Sequence, residues 1–354
     1  MPNKLQAYTE LAEQTAVGIT KSYEQWTAFL STAARLYKYP YHEQLMIYAQ
    51  RPEATACADY ALWNQRMRRF VKRGSKGIAL LDSSGDNPRL RYVFDVSDTG
   101  GGANARTPFL WEYREEHSET VRETLERAFS VPGDDGFSQQ LEQISSQLAE
   151  EYWNDHQYDI LRIIDGSFLE EYDAYNTEMT FRSAASVSTS YALLLRCGLD
   201  TEGYFMPEEF LSVFDFNTPP TIAALGTAIS NNCEMVLRQI EVAIKHYERE
   251  RMQNHERTDL QQERGLSDPR PDPQRFDAAA AEQVRTDAES VSKGVPADPL
   301  ESDAVGRNTV SASAGDRPDS EREAGTDAAE ADESGRIDRA TESPGSGSVD
   351  RLDE

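Results

Sequence analysis

The strongest chemical signal in this sequence is a cluster of six cations between Arg66 and Lys76. It is a local exception, because the chain as a whole has a net charge of -26. Guanidinium and ammonium groups neutralise phosphates, and this supplies most of the sequence-independent affinity for nucleic acids. The segment therefore predicts a phosphate-binding edge. Its cations are Arg66, Arg68, Arg69, Lys72, Arg73 and Lys76.

Two glycines and several aromatic residues strengthen this prediction. Gly74 and Gly77 lie beside the cations, where the lack of a side chain lets the backbone approach a phosphate closely. We expect Lys72, Arg73 and Lys76 to lie on a hairpin turn that leads into a strand. The segment around Pro40 carries rings that stack on the bases of a single strand, together with one more cation. These candidate residues are Tyr37, Lys38, Tyr39 and Tyr41.

A plainer interpretation of the same segment stays open. The cations would then form a solvated turn, with Trp63 and Phe70 in the core. We expect Trp63 to be a core residue in either case. The local charge favours the binding interpretation, because Arg35 to Lys76 holds nine cations and three anions.

Other kinds of chemistry lack their motifs. The sequence RGSKG precedes a strand and does not have the GxxxxGK[ST] spacing of a nucleotide-binding loop. HEQLM begins like a zinc motif at His42, but Met46 replaces the second histidine ligand. No recognisable nucleophile signature is present. We therefore predict a non-catalytic chain without a metal or cofactor.

The elements that must position these residues predict an α+β protein. The first region, residues 1–100, reads as helices followed by a small antiparallel sheet, and is the predicted DNA-binding domain. Residues 101–255 read as a mostly α-helical domain. From 256 to 354 the sequence is acidic and has no aromatic residue after Phe276, which is typical of a disordered tail. No apolar run is long enough for a membrane span, and three well-separated cysteines fit a cytoplasmic protein.

The segment from Gln44 to Leu81 resembles the N-terminal domain of ArdC-like antirestriction proteins. The resemblance covers about residues 5–96 and implies single-stranded DNA binding on plasmids and conjugative elements. The residues that carry it are Gln50, Pro52, Ala54, Thr55, Trp63, Val71, Lys72, Gly74, Lys76, Gly77 and Ile78.

The same resemblance bears on the helical region. That family often adds a domain like a zinc metallopeptidase, and the sequence from Ser183 to Ile244 looks like its closing helices. Here no HExxH lies between Gly101 and Phe181, and Ala184 and Ala185 stand where an acidic ligand is expected. The resemblance therefore implies a degenerate, zincin-like domain without metal. The N-terminal half also resembles the beginning of large helicase and DNA-methylase proteins of Firmicutes conjugative elements.

We therefore predict a single-stranded DNA-binding module of a mobile-element antirestriction or conjugation protein. Three alternatives stay open. One is an acidic protein-interaction module that mimics DNA and binds restriction or conjugation proteins, favoured by 31 anions against 12 cations between Gly77 and Glu250. The second is the N-terminal part of a multidomain helicase or DNA methyltransferase, and the third is a residual metallopeptidase.

Overall fold

Helices dominate the computed structural model, which describes residues 3–82 and 87–266. Five short strands form two small antiparallel sheets, so the predicted class of helices with a small antiparallel sheet is confirmed. The helices are α1 (Lys4–Ile19), α2 (Tyr23–Arg35), α3 (Tyr41–Gln50), α4 (Ser118–Phe129), α5 (Phe137–Leu161), α6 (Ala174–Arg196) and α7 (Pro219–Leu266). The strands are β1 (Cys57–Asp59), β2 (Arg69–Val71), β3 (Ile78–Asp82), β4 (Arg89–Asp95) and β5 (Thr99–Gly101).

The beginning of α2 and the end of α6 follow local signals in the sequence. Ser22 caps α2, because its hydroxyl accepts a hydrogen bond from the backbone nitrogen of Gln25 at 3.3 Å. After α6, Gly198 has a φ of +71° and closes the helix in the left-handed conformation that glycine allows. Both helix ends therefore lie where these local signals predict them.

The larger sheet has the strand order β1-β4-β3. One of its faces packs on α3, where Leu80 and Val93 join Ile47 in a small apolar core. The free edge of β3 is closed by Gln50, whose side-chain amide accepts from the backbone nitrogen of Ala79 at 2.9 Å and donates to its carbonyl at 2.8 Å. The backbone groups of Ala79 at this edge are therefore not available to another strand.

The main core draws on both regions that the sequence separates at residue 100. Trp26 and Phe29 of α2 lie in the same apolar cluster as Phe181 of α6 and Ile229 of α7. A buried hydrogen bond from the indole nitrogen of Trp26 to the hydroxyl of Ser188, at 3.0 Å, joins α2 to α6. The described N-terminal helices are therefore packed directly on the helical region.

Two expectations about the elements are wrong in part. The sequence pattern of residues 58–66 predicts a helix, but this segment contains the end of β1 and then a single π-helical turn, Leu62–Arg66, because Ala58 pairs with Phe94 in the sheet. The helix α7 continues to Leu266, beyond the start of the predicted tail at 256. The rest of that predicted tail, from 267 onward, lies outside the described residues. None of the helices within the described ranges is long and apolar enough to cross a membrane.

Candidate nucleic-acid interface

The cationic segment forms a corner between the two sheets, and the predicted hairpin turn is wrong. β2 pairs with β5, whereas β3 pairs with β4. The backbone nitrogen of Lys72 donates to the carbonyl of Asp98 at 2.8 Å, which holds the connection between β2 and β3 against the connection between β4 and β5. Gly74, with a φ of +91°, makes the turn. We call residues 66–77 the basic corner.

The basic corner is anchored from behind by the π-helical turn that precedes it. Trp63 is buried, and its indole nitrogen donates to the carbonyl of Phe94 at 2.8 Å, so its predicted role in the core is confirmed. Arg68 then has a φ of +53°. A left-handed residue other than glycine costs about 1–2 kcal/mol, so the surrounding contacts must hold this turn in place.

Four cations of the basic corner are exposed and free. Within the part of the chain that the structure describes, no ion pair or side-chain hydrogen bond engages Arg66, Arg68, Arg73 or Lys76. The other two cations donate to neutral oxygens, so no carboxylate among the described residues pairs with them. Arg69 donates from Nε to the hydroxyl of Thr99 at 2.7 Å, and Lys72 donates from Nζ to the carbonyl of Ser97 at 2.9 Å.

The acids beside the basic corner are engaged by other groups. Arg51 forms an ion pair with Asp98. Burial alone would raise the pKa of Asp95, but hydrogen bonds from Ser97 and from the backbone nitrogens of Ala56 and Thr55 lower it. These carboxylates are thus satisfied within the fold, and the four free cations face solvent.

An exposed aromatic ring lies between these cations in the sequence. Phe70 is 57% exposed, and its ring covers Gly100 on β5, where a Cβ atom would lie 2.7 Å from the ring. The glycine therefore makes room for the ring. From the sequence, Phe70 could be either a stacking ring or a core residue. The pairing of β2 with β5 leaves its ring exposed.

Tyr92 is an exposed ring that the sequence reasoning missed. It is 41% exposed on β4, and the alternation of that strand gives the signal, because Val93 beside it is fully buried. A Cβ atom at Gly77 would lie 3.2 Å from atoms of Tyr92 and Phe94. Packing against these two rings accounts for Gly77, whereas the exposed Gly74 has no neighbouring atom within 4 Å of a Cβ position.

The segment around Pro40 is placed in the core. Tyr37 and Tyr41 are each 4% exposed. The hydroxyl of Tyr37 donates to Glu241 on α7 and accepts from the indole nitrogen of Trp111 at 3.1 Å, and Lys38 forms an ion pair with Glu241 at 2.7 Å. Burial therefore argues against the stacking role that the sequence predicts for these two rings.

The remaining tyrosine of that segment is also held by the fold. The hydroxyl of Tyr39 donates to the carbonyl of Cys57 at 2.7 Å. Burial raises the pKa of the Tyr37, Tyr39 and Tyr41 hydroxyls. Burial alone would raise the pKa of Glu241 as well, but hydrogen bonds from Lys245, Lys38 and Tyr37 lower it to about 2.

One group of side chains has the spacing of metal ligands. Ligand atoms of Glu116, His117 and Glu248 lie within 4.8 Å of one another. The Nδ1 atom of His117 accepts from the backbone nitrogen of Arg114 at 3.1 Å, so its Nε2 atom carries the proton and faces Glu248 at 3.3 Å. Arg251 engages Glu116 at 3.0 Å. The geometry is that of an ion-pair network that joins α7 to the start of α4.

Comparisons of this chain with protein-family models, with curated proteins and with solved structures found no match. The support for a nucleic-acid interface therefore comes from the geometry and charge of the basic corner.

Proposed function

We propose that this protein binds single-stranded DNA through the basic corner, as a non-catalytic module. The observation that carries the proposal is Phe70, an exposed ring that the free cations Arg68 and Arg73 flank in the sequence of an otherwise acidic chain. Cations bind the phosphates, and the ring stacks on an unpaired base, which are the two interactions that single-strand binders combine.

The charge distribution supports a polyanion at this place. The free cations Arg66, Arg68, Arg73 and Lys76 do not have to break an ion pair of the fold before they engage a phosphate. The acidic surface elsewhere repels nucleic acid, which restricts binding to the basic corner. Each phosphate that is neutralised releases counterions, so the affinity falls steeply with salt.

The exposed ring favours a single strand over a duplex. Bases in a duplex are stacked on each other, and their faces are closed to a protein ring. An aromatic side chain contributes about 1–3 kcal/mol for each unpaired base on which it stacks. Phe70 and the second exposed ring, Tyr92, can stack on unpaired bases, whereas binding to the phosphates of a duplex would not need exposed rings.

A triple alanine variant at Arg66, Arg73 and Lys76 tests the proposal. We expect it to bind a single-stranded oligonucleotide about tenfold or more weakly than the wild type, because three phosphate contacts are lost. Fluorescence anisotropy at a fixed salt concentration measures the affinity. The three side chains are exposed and free of ion pairs to the described residues, so the fold should be unaffected.

The matched control changes the same total charge elsewhere. Arg127, Arg162 and Arg249 are also exposed and lack an ion pair to the described residues, and their triple alanine variant should bind as the wild type does. Equal losses in the two variants would mean that net charge matters and the basic corner does not. Equal wild-type affinity for a single strand and a duplex would contradict the role of Phe70.

The biological setting is part of the proposal. The resemblance to ArdC-like proteins supports an antirestriction or conjugation role for a mobile element in the cytoplasm. It also supports a zincin-like origin for the helical region, with its zinc site lost. Metal analysis of the purified protein tests this last point, because stoichiometric zinc would contradict it.

A second candidate function follows from an acidic groove beside α4. Its cavity volume is about 560 Å³, and Glu119, Glu123 and Glu126 line it from successive turns of the helix. Such a surface would mimic DNA and occupy the cationic DNA-binding site of a partner, for example a restriction complex. Reversing these three charges should abolish capture of that complex, whereas the basic-corner variant should not affect capture.

A further inference from the structure

A second cationic site lies in a cleft that the proposed interface does not use. Two adjoining cavities, of about 370 Å³ and about 190 Å³, share Arg35, Thr55, Leu110, Trp111 and Arg196 in their walls. The ends of α2 and α6 form one wall, and residues 108–112 form another. The larger cavity has a volume within the range of small-molecule sites, about 300–1,000 Å³.

The side chains that line this cleft have a net positive charge. Among the described residues, no carboxylate lies within ion-pair distance of Arg35 or Arg196. Lys38, also in the wall, is paired with Glu241. Glu112 is the acid of the larger cavity, and its side chain is exposed and lies 3.7 Å from Arg114. Neither arginine therefore has an anionic partner within the described fold, and a bound anion would supply one.

The two arginines have different roles. Arg35 donates to the carbonyls of Ala54 at 3.1 Å and Pro52 at 2.5 Å, so it holds the loop before β1 and contributes charge. Arg196 lies flat on Trp111, with its guanidinium carbon 3.6 Å from the ring centroid. Its position in the last turn of α6 is favourable for a cation, because the helix dipole is negative there.

Arg196 retains open hydrogen-bond donors. A guanidinium has five N–H groups, and among the described residues this side chain makes one hydrogen bond, from Nη2 to the carbonyl of Trp111 at 2.9 Å. None of its nitrogens is a buried, unsatisfied atom, so the remaining donors open into the cleft. A planar guanidinium fixed on an aromatic ring is suited to bidentate contact with a phosphate.

We propose that the cleft binds a phosphate monoester of a nucleotide, with Arg196 as the main phosphate ligand. The exposed side chains of Phe109 and Leu110 at the rim offer an apolar surface for the attached base. The phosphate can come from a free nucleotide or from the 5′ end of a strand, and both sources present the same group. This site is independent of the basic corner and does not rest on the function proposed above.

Calorimetric titration with thymidine 5′-monophosphate and with thymidine tests the proposal. We expect the monophosphate to bind at least about tenfold more tightly than the nucleoside, and inorganic phosphate to compete with it. Arg196→Gln should weaken binding of the monophosphate by about tenfold, which corresponds to about 1.4 kcal/mol. Arg162→Gln, at an exposed arginine outside the cleft, should leave binding unchanged.

Further arms keep the test decisive. If Arg196→Gln does not fold, Arg196→Lys keeps the charge without the planar fork and should give an intermediate loss, and the competition by phosphate needs only the wild type. A 5′-phosphorylated oligonucleotide that binds the basic-corner variant more tightly than its 5′-hydroxyl form assigns the strand end as the source. Without such a gain, binding of the monophosphate assigns the free nucleotide. Three results would overturn the proposal. They are equal affinities for thymidine and its monophosphate, no binding of either by the wild type, or an Arg196→Gln variant that binds the monophosphate as tightly as the wild type does.

Discussion

The segment Tyr37–Tyr41 and the basic corner have similar residue types but different environments. Both combine cations with aromatic rings, and both are candidates for nucleic-acid binding from their sequences. In the first segment the rings are buried or bonded to the backbone, and Lys38 is paired with Glu241. In the second, Phe70 is exposed and Arg66, Arg73 and Lys76 lack an ion pair to any described residue.

The difference shows that tertiary partners decide which of two similar segments can bind a ligand. Glu241 lies 204 residues from Tyr37 in the sequence, and it converts a tyrosine and a lysine into structural groups. The acids nearest the basic corner, Asp95 and Asp98, are instead occupied by backbone nitrogens, Ser97 and Arg51. The following variants separate a structural role from a binding role.

The largest effect is expected at Glu241. Glu241→Gln removes a buried charge and replaces one of the two carboxylate oxygens that accept from Tyr37, Lys38 and Lys245 with an amide NH2 group, which cannot accept. We expect the free energy of unfolding to fall by about 3 kcal/mol, as measured by urea denaturation, with no change in DNA affinity per folded molecule. A variant with wild-type stability would mean that this network does not hold the first segment in the core.

Phe70→Ala should give the opposite pattern. The ring is exposed and contacts Gly100, so its loss should change the stability by less than about 0.5 kcal/mol. The binding free energy of the variant for a single strand should be weaker by about 2 kcal/mol if the ring stacks on a base. Tyr158→Ala serves as the control at another exposed ring. A loss of stability without a loss of affinity would assign Phe70 to the fold.

A smaller effect on stability is expected when the pH is lowered. The folded pKa of Glu241 is about 2, below its ordinary value of 4.5. Its contribution to stability is therefore complete above pH 4.5 and is lost as the pH falls toward 2. The difference in melting temperature between the wild type and Glu241→Gln should narrow from pH 6 to pH 3. A constant difference over this range would contradict the ion-pair role of Glu241.

Local signals were enough to predict much of the fold. Turn residues and periodicity alone predict the cap at Ser22, the glycine that ends α6, and strands β2, β3 and β4. They do not predict the pairing of β2 with β5, because the choice of partner depends on Asp98 and Thr99, which lie beyond β3 and β4 in the chain.

The cations of the candidate site could be predicted from the sequence, whereas the aromatic residues that are exposed there could not. The cations of the basic corner follow from composition, since few cations can be buried without partners. The choice of aromatic ring depends on burial, which Glu241 and Gly226 determine from the distant α7. A Cβ atom at Gly226 would lie 2.2 Å from the ring of Tyr41, so helix and ring are in close contact. No local pattern around Pro40 shows these partners.

The salt dependence of single-strand binding tests the central claim most directly. For single strands, the slope of log K against log salt is about -0.7 for each phosphate that is neutralised. The triple alanine variant of Arg66, Arg73 and Lys76 should therefore have a slope smaller in magnitude by about 2, while the control variant of Arg127, Arg162 and Arg249 keeps the wild-type slope. Identical slopes for the wild type and the basic-corner variant would contradict the account.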